Sequence, residues 1–217
     1  MKAMKVLALG VLTVVSLNGA IAGTGFSGAM GGTKKYSLNN SVGQNQILFQ
    51  SDAPMEKING TADNVTGSFQ FDPANLEATK GRIEVGVKSM TTAIAKRDDH
   101  MYSDVWLDAG KYPTITFDIE SLKDIKVETK DGRNVATATA VGKFTCHGVT
   151  KPLTTTVNLT YLPESDATKK RATGNFVMVK TTFSVSLKDH NITGKAGVVG
   201  KSVGETISIE ANIFANS

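Results

Sequence analysis

Four side chains that could support acid–base chemistry stand next to one another in this chain. Arg97, Asp98, Asp99 and His100 are consecutive within the stretch KRDDHMYSDVWLDAGKYPTITF. A carboxylate beside a histidine can act as a general acid–base pair, and a nearby cation can stabilise negative charge that develops during a reaction. The stretch is also predicted to form a helix over residues 92–103, on which Arg97 and His100 share a face while the two aspartates point elsewhere. A carboxylate–histidine site therefore does not assemble locally, and we predict no catalytic residues and no enzymatic activity.

Metal binding and nucleophilic catalysis find equally little support in the sequence. The only histidines are His100, His147 and His190, and none of them stands in an H-E-x-x-H motif or another recognised ligand spacing. One of the two aspartates could join His100 and His190 only if the fold brought two separate turns together. The strings G-K-S-V-G at residues 200–204 and G-T-G-F-S-G at residues 23–28 match the letters of a nucleophile elbow and a phosphate loop, but neither stands between a predicted strand and a predicted helix, which both motifs require. We therefore predict no metal ion and no cofactor.

The charged stretch is instead predicted to anchor a lid over one end of the fold. Either aspartate can cap the helix or pair with Arg97, while the aromatic side chains that follow pack beneath the helix. A functional variant of this interpretation places Arg97 and His100 at the mouth of a cavity, where they would meet the polar head group of a ligand. The predicted lid anchors are Asp98, Asp99, Trp106 and Tyr112.

The N-terminus predicts export. Lys2 and Lys5 precede an apolar run from Val6 to Leu17, and an A-x-A site ends at Ala22. This order is typical of a secretory signal peptide, here residues 1–22, with cleavage near Ala22. The apolar run is well short of the roughly 20 residues that a spanning helix needs, so we expect the mature chain not to span a membrane. The predicted location is a bacterial periplasm.

Cysteine usage limits how the exported chain can be stabilised. Cys146 is the only cysteine, so there is no internal disulfide. It ends a predicted strand beside His147, where a buried, unreactive thiol is the common case. The roughly 195 residues that remain after cleavage are enough for one domain whose stability comes from its own core.

The charge distribution argues against nucleic acid as a partner. The formal net charge of the full chain is +4, and cleavage of the leader removes two lysines. Acidic and basic residues alternate along the chain without a lysine–arginine tract. A nucleic-acid-binding protein needs a basic patch that neutralises phosphates, and none is expected here.

The remaining sequence divides into a short lead-in and one folded domain. Residues 23–35, GTGFSGAMGGTKK, carry five glycines and are predicted to form a flexible lead-in. Over residues 36–217 apolar and polar side chains alternate, as in RIEVGVKSM, PTITFDIES, FSVSLKD and ETISIEANIF. Alternation with a period of two indicates antiparallel strands with one buried and one exposed face. About eight such strands, hairpin turns and one short helical insertion predict an all-β, closed up-and-down barrel, with a two-sheet sandwich as the alternative.

One strand suggests room inside the barrel. VATATAVGKFTC carries Ala138, Ala140 and other small residues on one face. If that face points inward it leaves space for a ligand, and if it points outward it has no consequence. An eight-stranded barrel can be filled by side chains or can hold one small ligand. Alternation does not say which face is inside, and we place the bulky apolar face of the other strands inward because it avoids water. The predicted cavity-lining residues are Phe69, Phe71, Ile115, Phe117, Ala138, Ala140, Phe183, Val185, Ile207 and Ile209.

The charged stretch resembles the hallmark segment of the YceI-like family, periplasmic polyisoprenoid-binding proteins with a lipocalin-like barrel. The agreement extends to INGTADNVTGSFQFDPANLEATKGRIEVGVKSMTT before it and to GKFTCHGVTKPLTTTVNLTY, FSVSLKDHNI and VGETISIEANIFA after it. It covers the chain from about Tyr36 to Ala215. Two positions depart from the family pattern: Val105 and Trp106 replace the usual aromatic pair, and KDH replaces the usual arginine after FSVSL.

The resemblance implies an eight-stranded antiparallel lipocalin-like barrel whose apolar tunnel holds an isoprenoid chain. It also implies no established catalytic activity and a role linked to quinone or lipid carriers and to stress. The leading hypothesis is a periplasmic carrier of a long-chain isoprenoid, such as a polyprenyl phosphate or a quinone. One alternative is a structural or stress-related interaction protein with a side-chain-filled barrel, and another is a small outer-membrane barrel, which needs aromatic girdles. A homodimer is left open.

Overall fold

The structure is a computed structural model that describes residues 24–217. The predicted signal peptide, residues 1–22, lies outside the described residues. Strands dominate, and they are joined by tight turns and two short helices. The strands are β1 (Lys34–Leu38), β2 (Gln46–Asp52), β3 (Lys57–Ala62), β4 (Val65–Phe71), β5 (Lys80–Gly86), β6 (Met90–Thr91), β7 (Thr114–Lys130), β8 (Arg133–Cys146), β9 (Val149–Leu162), β10 (Phe176–Ser186) and β11 (Thr206–Asn216), and the helices are α1 (Ala95–Tyr102) and α2 (Asp166–Lys169).

Eight of the strands form a closed antiparallel barrel. The order around it is β1, β4, β5, β7, β8, β9, β10 and β11, and the ring closes because β1 pairs with β11 at Ser37–Asn216 and Leu38–Ala215. At the opposite end of the barrel β11 pairs with β2, and β3 and β6 continue the sheet from there. The predicted eight-stranded antiparallel barrel is therefore confirmed, and the alternative of a two-sheet sandwich is wrong.

The alternation in the sequence sets which side chains point into the barrel. Along β8 the residues Ala136, Ala138 and Ala140 are buried, whereas Thr137 between them is exposed. The small face of this strand therefore points inward, because a one-residue step turns each side chain to the opposite face of the sheet. Long hairpins keep this register, since β8 pairs with β9 without interruption over its whole length.

The barrel has a narrow closed end and a wide open end. At the closed end, buried aromatic side chains fill the interior, with Tyr36 packed edge-on against Phe71 at 5.4 Å and Leu76 fully buried beside them. At the open end the turns between β2 and β3, the segment that contains α1, and the turns between β10 and β11 surround the interior. A second apolar cluster, which includes Phe144 and Ile192, lies beneath these turns.

The helical insertion is shorter than the sequence predicts. The expectation was a helix over residues 92–103, and α1 begins only at Ala95 and ends at Tyr102. Its start is delayed because the side chain of Asp98 bonds back to the backbone and hydroxyl of Thr92, which holds that residue outside the helix. The stretch from Val105 to Lys111 that follows α1 forms a series of turns.

The glycine-rich segment differs from the expected flexible lead-in, because one of its side chains belongs to the core. Phe26 is buried and stacks on Tyr161 with ring centres 5.7 Å apart. Its N–H donates to the carbonyl of Pro73 at 2.8 Å, and the N–H of Leu76 donates to the carbonyl of Thr24 at 3.0 Å. The segment thereby covers the closed end of the barrel, and the first strand begins at Lys34.

Replacing this side chain should destabilise the whole domain. Phe26→Ala leaves a cavity between the segment and the barrel, and such deletions typically cost about 3 kcal/mol or more of unfolding free energy. The measurement is urea denaturation of the mature chain. Met30→Ala is the matched control, because Met30 lies in the same segment and is 91% exposed. Equal stability of the two variants would show that Phe26 does not contribute to the core.

Candidate ligand-binding site

The interior of the barrel contains an apolar chamber. This inner chamber has a volume of about 160 Å³, and side chains from every strand except β1 line it. Three of its threonine hydroxyls are engaged within the protein: Thr155 bonds to the hydroxyl of Thr181 at 2.9 Å and to the carbonyl of Thr182, and Thr79 donates to the carbonyl of Leu76 at 2.7 Å. The chamber therefore offers contact surface rather than hydrogen bonds to an occupant.

Most of the predicted lining residues face this space. The predicted residues on the inner chamber are Phe69, Ile115, Phe117, Ala140, Phe183 and Ile209. Three others point inward but are packed away from both cavities: Phe71 and Ala138 belong to the core of the closed end, and Val185 belongs to the cluster beneath the open-end turns. These three differ from the prediction because alternation selects a face of a strand but not a height along the barrel.

A second, larger chamber lies between the inner one and solvent. This outer chamber has a volume of about 480 Å³ and opens at the wide end of the barrel. Ile207, the remaining predicted lining residue, contacts it. Of its lining residues only Phe49 and Met90 also line the inner chamber, so these two side chains separate the chambers. The ring of Phe49 lies over Gly60, its partner on the neighbouring strand, where any other side chain would occupy the position of the ring.

Three basic residues of α1 line the outer chamber. Arg97 and His100 do so as predicted, and Lys96 was not anticipated. The guanidinium of Arg97 is already engaged, because it donates to Glu56 Oε1 at 2.6 Å and to Thr92 Oγ1 at 2.9 Å. The basic groups of this mouth that remain available to an occupant are therefore Lys96 and His100.

The lid is anchored mainly through Asp98. Its carboxylate is 8% exposed and accepts hydrogen bonds from the N–H and hydroxyl of Thr92, at 2.8 and 2.6 Å, and from the hydroxyl of Thr91 at 2.6 Å. Asp98 does not pair with Arg97 directly, because the hydroxyl of Thr92 stands between them. Asp99 is exposed, so the predicted anchoring role falls on only one of the two aspartates.

The two predicted aromatic anchors lie in different parts of the structure. Trp106 lines the outer chamber and contacts Gly194, which ties the segment after α1 to the turns between β10 and β11. Tyr112 instead packs edge-on against His147 at 4.9 Å, next to the turn that joins β8 and β9. Only Trp106 therefore contributes to the wall of the mouth.

The two histidines outside the mouth lie within hydrogen-bond distance of backbone carbonyls, and the cysteine is buried. His147 Nδ1 lies 3.0 Å from the carbonyl of His190, and His190 Nδ1 lies 3.1 Å from the carbonyl of Val149. Burial raises the pKa of the Cys146 thiol to about 12, which keeps it protonated at neutral pH. Across residues 24–217 no group of three or more histidine, cysteine, aspartate or glutamate residues could hold a metal ion.

Removing the charge of Asp98 should loosen the lid. Burial by itself would raise the pKa of this carboxyl, but the hydrogen bonds from Thr91 and Thr92 outweigh it and hold the pKa below its usual value. Asp98→Asn should therefore lower the unfolding free energy at neutral pH by about 2–3 kcal/mol, since it disrupts several bonds to a buried charged acceptor. The measurement is urea denaturation at pH 7 and at low pH.

The pH dependence distinguishes the charge from the shape of the side chain. A carboxyl whose pKa is lowered on folding stabilises the protein above its unfolded pKa, and this contribution is lost as the pH falls through the folded pKa. The difference between wild type and Asp98→Asn should therefore shrink below about pH 3.8, the ordinary value for this group. Asp99→Asn is the matched control and should behave like wild type. A pH-independent difference would contradict the assignment.

A closed antiparallel barrel with a two-chambered apolar interior, open at one end, defines a single-domain protein of the lipocalin-like kind. The sequence model of the YceI-like domain matches residues 36–215, so the chain belongs to the YceI-like family. A UPF0312 protein of Yersinia enterocolitica is 32% identical over 151 residues, which are 70% of this chain and 71% of that protein. The YceI protein of Salmonella arizonae is 32% identical over 70% of this chain and 72% of its own length. The resemblance seen in the sequence is thereby confirmed.

Solved structures share the fold at low sequence identity. BcnA of Burkholderia cenocepacia superposes with a TM-score of 0.64 at 16% identity, covering 82% of this chain and 99% of its own. A polyisoprenoid binding domain from Saccharophagus degradans, implicated in plant cell wall breakdown, gives a TM-score of 0.62 at 14% identity over 84% of this chain and 98% of that chain. No helix within residues 24–217 is long and apolar enough to cross a membrane.

Proposed function

We propose that this protein binds a long-chain isoprenoid lipid in its barrel and carries or sequesters it in the periplasm. The observation that carries the proposal is the apolar interior of the barrel, in which an inner chamber and a larger outer chamber adjoin at the side chains of Phe49 and Met90. An extended flexible chain fits such a shape better than a compact polar ligand does. The solved Saccharophagus degradans relative described as a polyisoprenoid binding domain supports the choice of ligand class.

The chamber volumes suit a chain that enters tail first. An engineered apolar cavity of about 150 Å³ in another protein binds benzene, so an inner chamber of about 160 Å³ can take roughly one isoprene unit. The outer chamber, at about 480 Å³, can take the following units. The polar end would then lie at the mouth near Lys96 and His100, and either a phosphate or a quinone ring satisfies this arrangement.

Burial alone can hold such a ligand. Each buried methylene-sized group contributes roughly 0.8 kcal/mol, so about 20 carbons nominally exceed the roughly 12 kcal/mol of nanomolar binding. The ordering of the chain and the loss of its translational freedom offset several kcal/mol of that gain. Affinity would therefore come from the apolar lining, and the mouth would orient the head group. The proposed role is binding without catalysis.

The direct test is to identify what the protein contains when it is purified. The full chain is expressed with its leader, the exported protein is isolated under native conditions and extracted into organic solvent, and the extract is analysed by mass spectrometry. We expect an isoprenoid lipid at close to one molecule per barrel. Repeated recovery of well-folded protein without lipid would contradict the proposal and favour a barrel without a lipid ligand.

Two alanines on one strand provide a matched pair of variants. Ala138 and Ala140 both belong to the buried core cluster of the closed end, but only Ala140 also lines the inner chamber. Ala140→Phe should place a ring of about the size of benzene in the chamber, and should abolish lipid recovery while leaving the ligand-free melting temperature nearly unchanged. Ala138→Phe should overpack the core and cost about 1–3 kcal/mol of unfolding free energy. Normal lipid content in Ala140→Phe would show that the ligand does not occupy the inner chamber.

A further inference from the structure

We propose that the open end of the barrel docks on the surface of a lipid bilayer through the rim of the outer chamber. The rim comprises residues 53–57, 93–107 and 193–203. It contains three large apolar side chains that the fold leaves exposed: Met55 at 76%, Ile94 at 51% and Val105 at 51%. Exposed apolar groups clustered at one functional edge mark an interaction surface, in contrast to singly scattered ones.

Direct contacts join the three segments of the rim into one surface. The N–H of Met55 donates to the carbonyl of Lys201 at 3.0 Å, which ties the first segment to the third. Glu56 accepts from Arg97 at 2.6 Å, which ties the first segment to the second. The contact of Trp106 with Gly194 joins the second segment to the third. The exposed apolar side chains therefore surround a single opening.

Ile94 shows how this surface relates to the cavity. Its side chain lines the outer chamber and is at the same time half exposed to solvent. The apolar lining of the chamber thus reaches the rim at Ile94. A bilayer covering the rim would extend this apolar path into the hydrocarbon region, which a folded protein partner with a polar surface would not do.

The charges next to the apolar side chains favour anionic head groups. Lys96 and Lys201 lie beside Ile94 and Met55, and neither has an ion-pair partner within residues 24–217. Two acidic residues near the rim are engaged, because Glu56 pairs with Arg97 and Asp52 lies 4.0 Å from Lys57, whereas Glu205, beside Gly200, has no ion pair within residues 24–217. Exposed lysines beside inserting apolar groups are the usual combination at membrane surfaces.

The rim also carries acidic residues that oppose an anionic surface, and one of them, Asp99, stands three residues after Lys96 on α1. Asp99 and Asp104 are exposed acids on the segment that contains α1, and Asp104 stands directly before Val105. The geometry therefore points to contact led by Ile94 and Met55. Docking by a few side chains is weak and reversible, which suits a protein that collects or releases a ligand and then leaves the membrane.

The inference rests on the proposed function, because a water-insoluble ligand must pass between the chamber and a bilayer. It is tested by sedimentation of the mature chain with vesicles of phosphatidylcholine and phosphatidylglycerol. Wild type should pellet with the vesicles, and Ile94→Asp should weaken the binding by on the order of tenfold, since it places a charge where an apolar contact is made. Met30→Asp is the matched control, because Met30 is exposed at the closed end, and it should bind like wild type.

The lipid content of each purified protein is measured beside vesicle binding, so that the two proposals can fail separately. Wild type that retains an isoprenoid but never pellets with vesicles overturns the docking and leaves the proposed function intact. Pelleting of wild type without any extractable lipid supports the docking surface and contradicts the proposal that the barrel binds an isoprenoid. Equal vesicle binding by Ile94→Asp and Met30→Asp overturns the docking. The docking is also overturned if wild type does not bind vesicles and light scattering shows that it is a dimer which the Ile94→Asp substitution dissociates.

Discussion

The backbone ladder of β11 is the constraint on which the rest of the molecule depends. This strand pairs with β10 along its whole length, with β2 over residues 207–212, and with β1 at Ala215 and Asn216. Because it changes partner along its length, the barrel is closed by β1 at one end and widened by β2 and β3 at the other. The filled core, the inner chamber and the outer chamber follow one another along the axis for this reason.

The charged stretch illustrates how residues suited to catalysis can be used for structure. Arg97, Thr92 and Asp98 form one chain of hydrogen bonds that fixes the start of α1 against the barrel. The ion pair of Arg97 with Glu56 adds little by itself, because its side chains are 25% and 45% exposed and surface pairs contribute only about 0–1 kcal/mol. The carboxylate of Asp98 is the stronger element, since it accepts three hydrogen bonds at a residue that is only 8% exposed.

Period-two alternation predicted the strands of the barrel and placed Ala138 and Ala140 on one face of β8, because both depend on local geometry alone, but it did not say which face points inward. It also could not tell that, of these two core alanines, only Ala140 lines the inner chamber. Height along the axis depends on strand tilt and register, which arise from pairing across the whole ring. Phe26 was missed for a similar reason: it is a lone aromatic among glycines, and its partner Tyr161 is remote in sequence. Glu56, which engages Arg97, gives no signal in the sequence either.

Closure of the ring by β1 and β11 also governs how the chain reaches its native state. The first and the last of the described strands must meet, so the pairing that completes the barrel is among the most remote in the sequence. Folding of such a topology is expected to be slow, because loop-closure entropy is lost before the distant contacts form. Until β11 arrives, β1, β2 and β10 all present open edges, which are templates for aggregation. A nascent chain of this protein therefore depends on being kept apart from its neighbours until its final strand has been released.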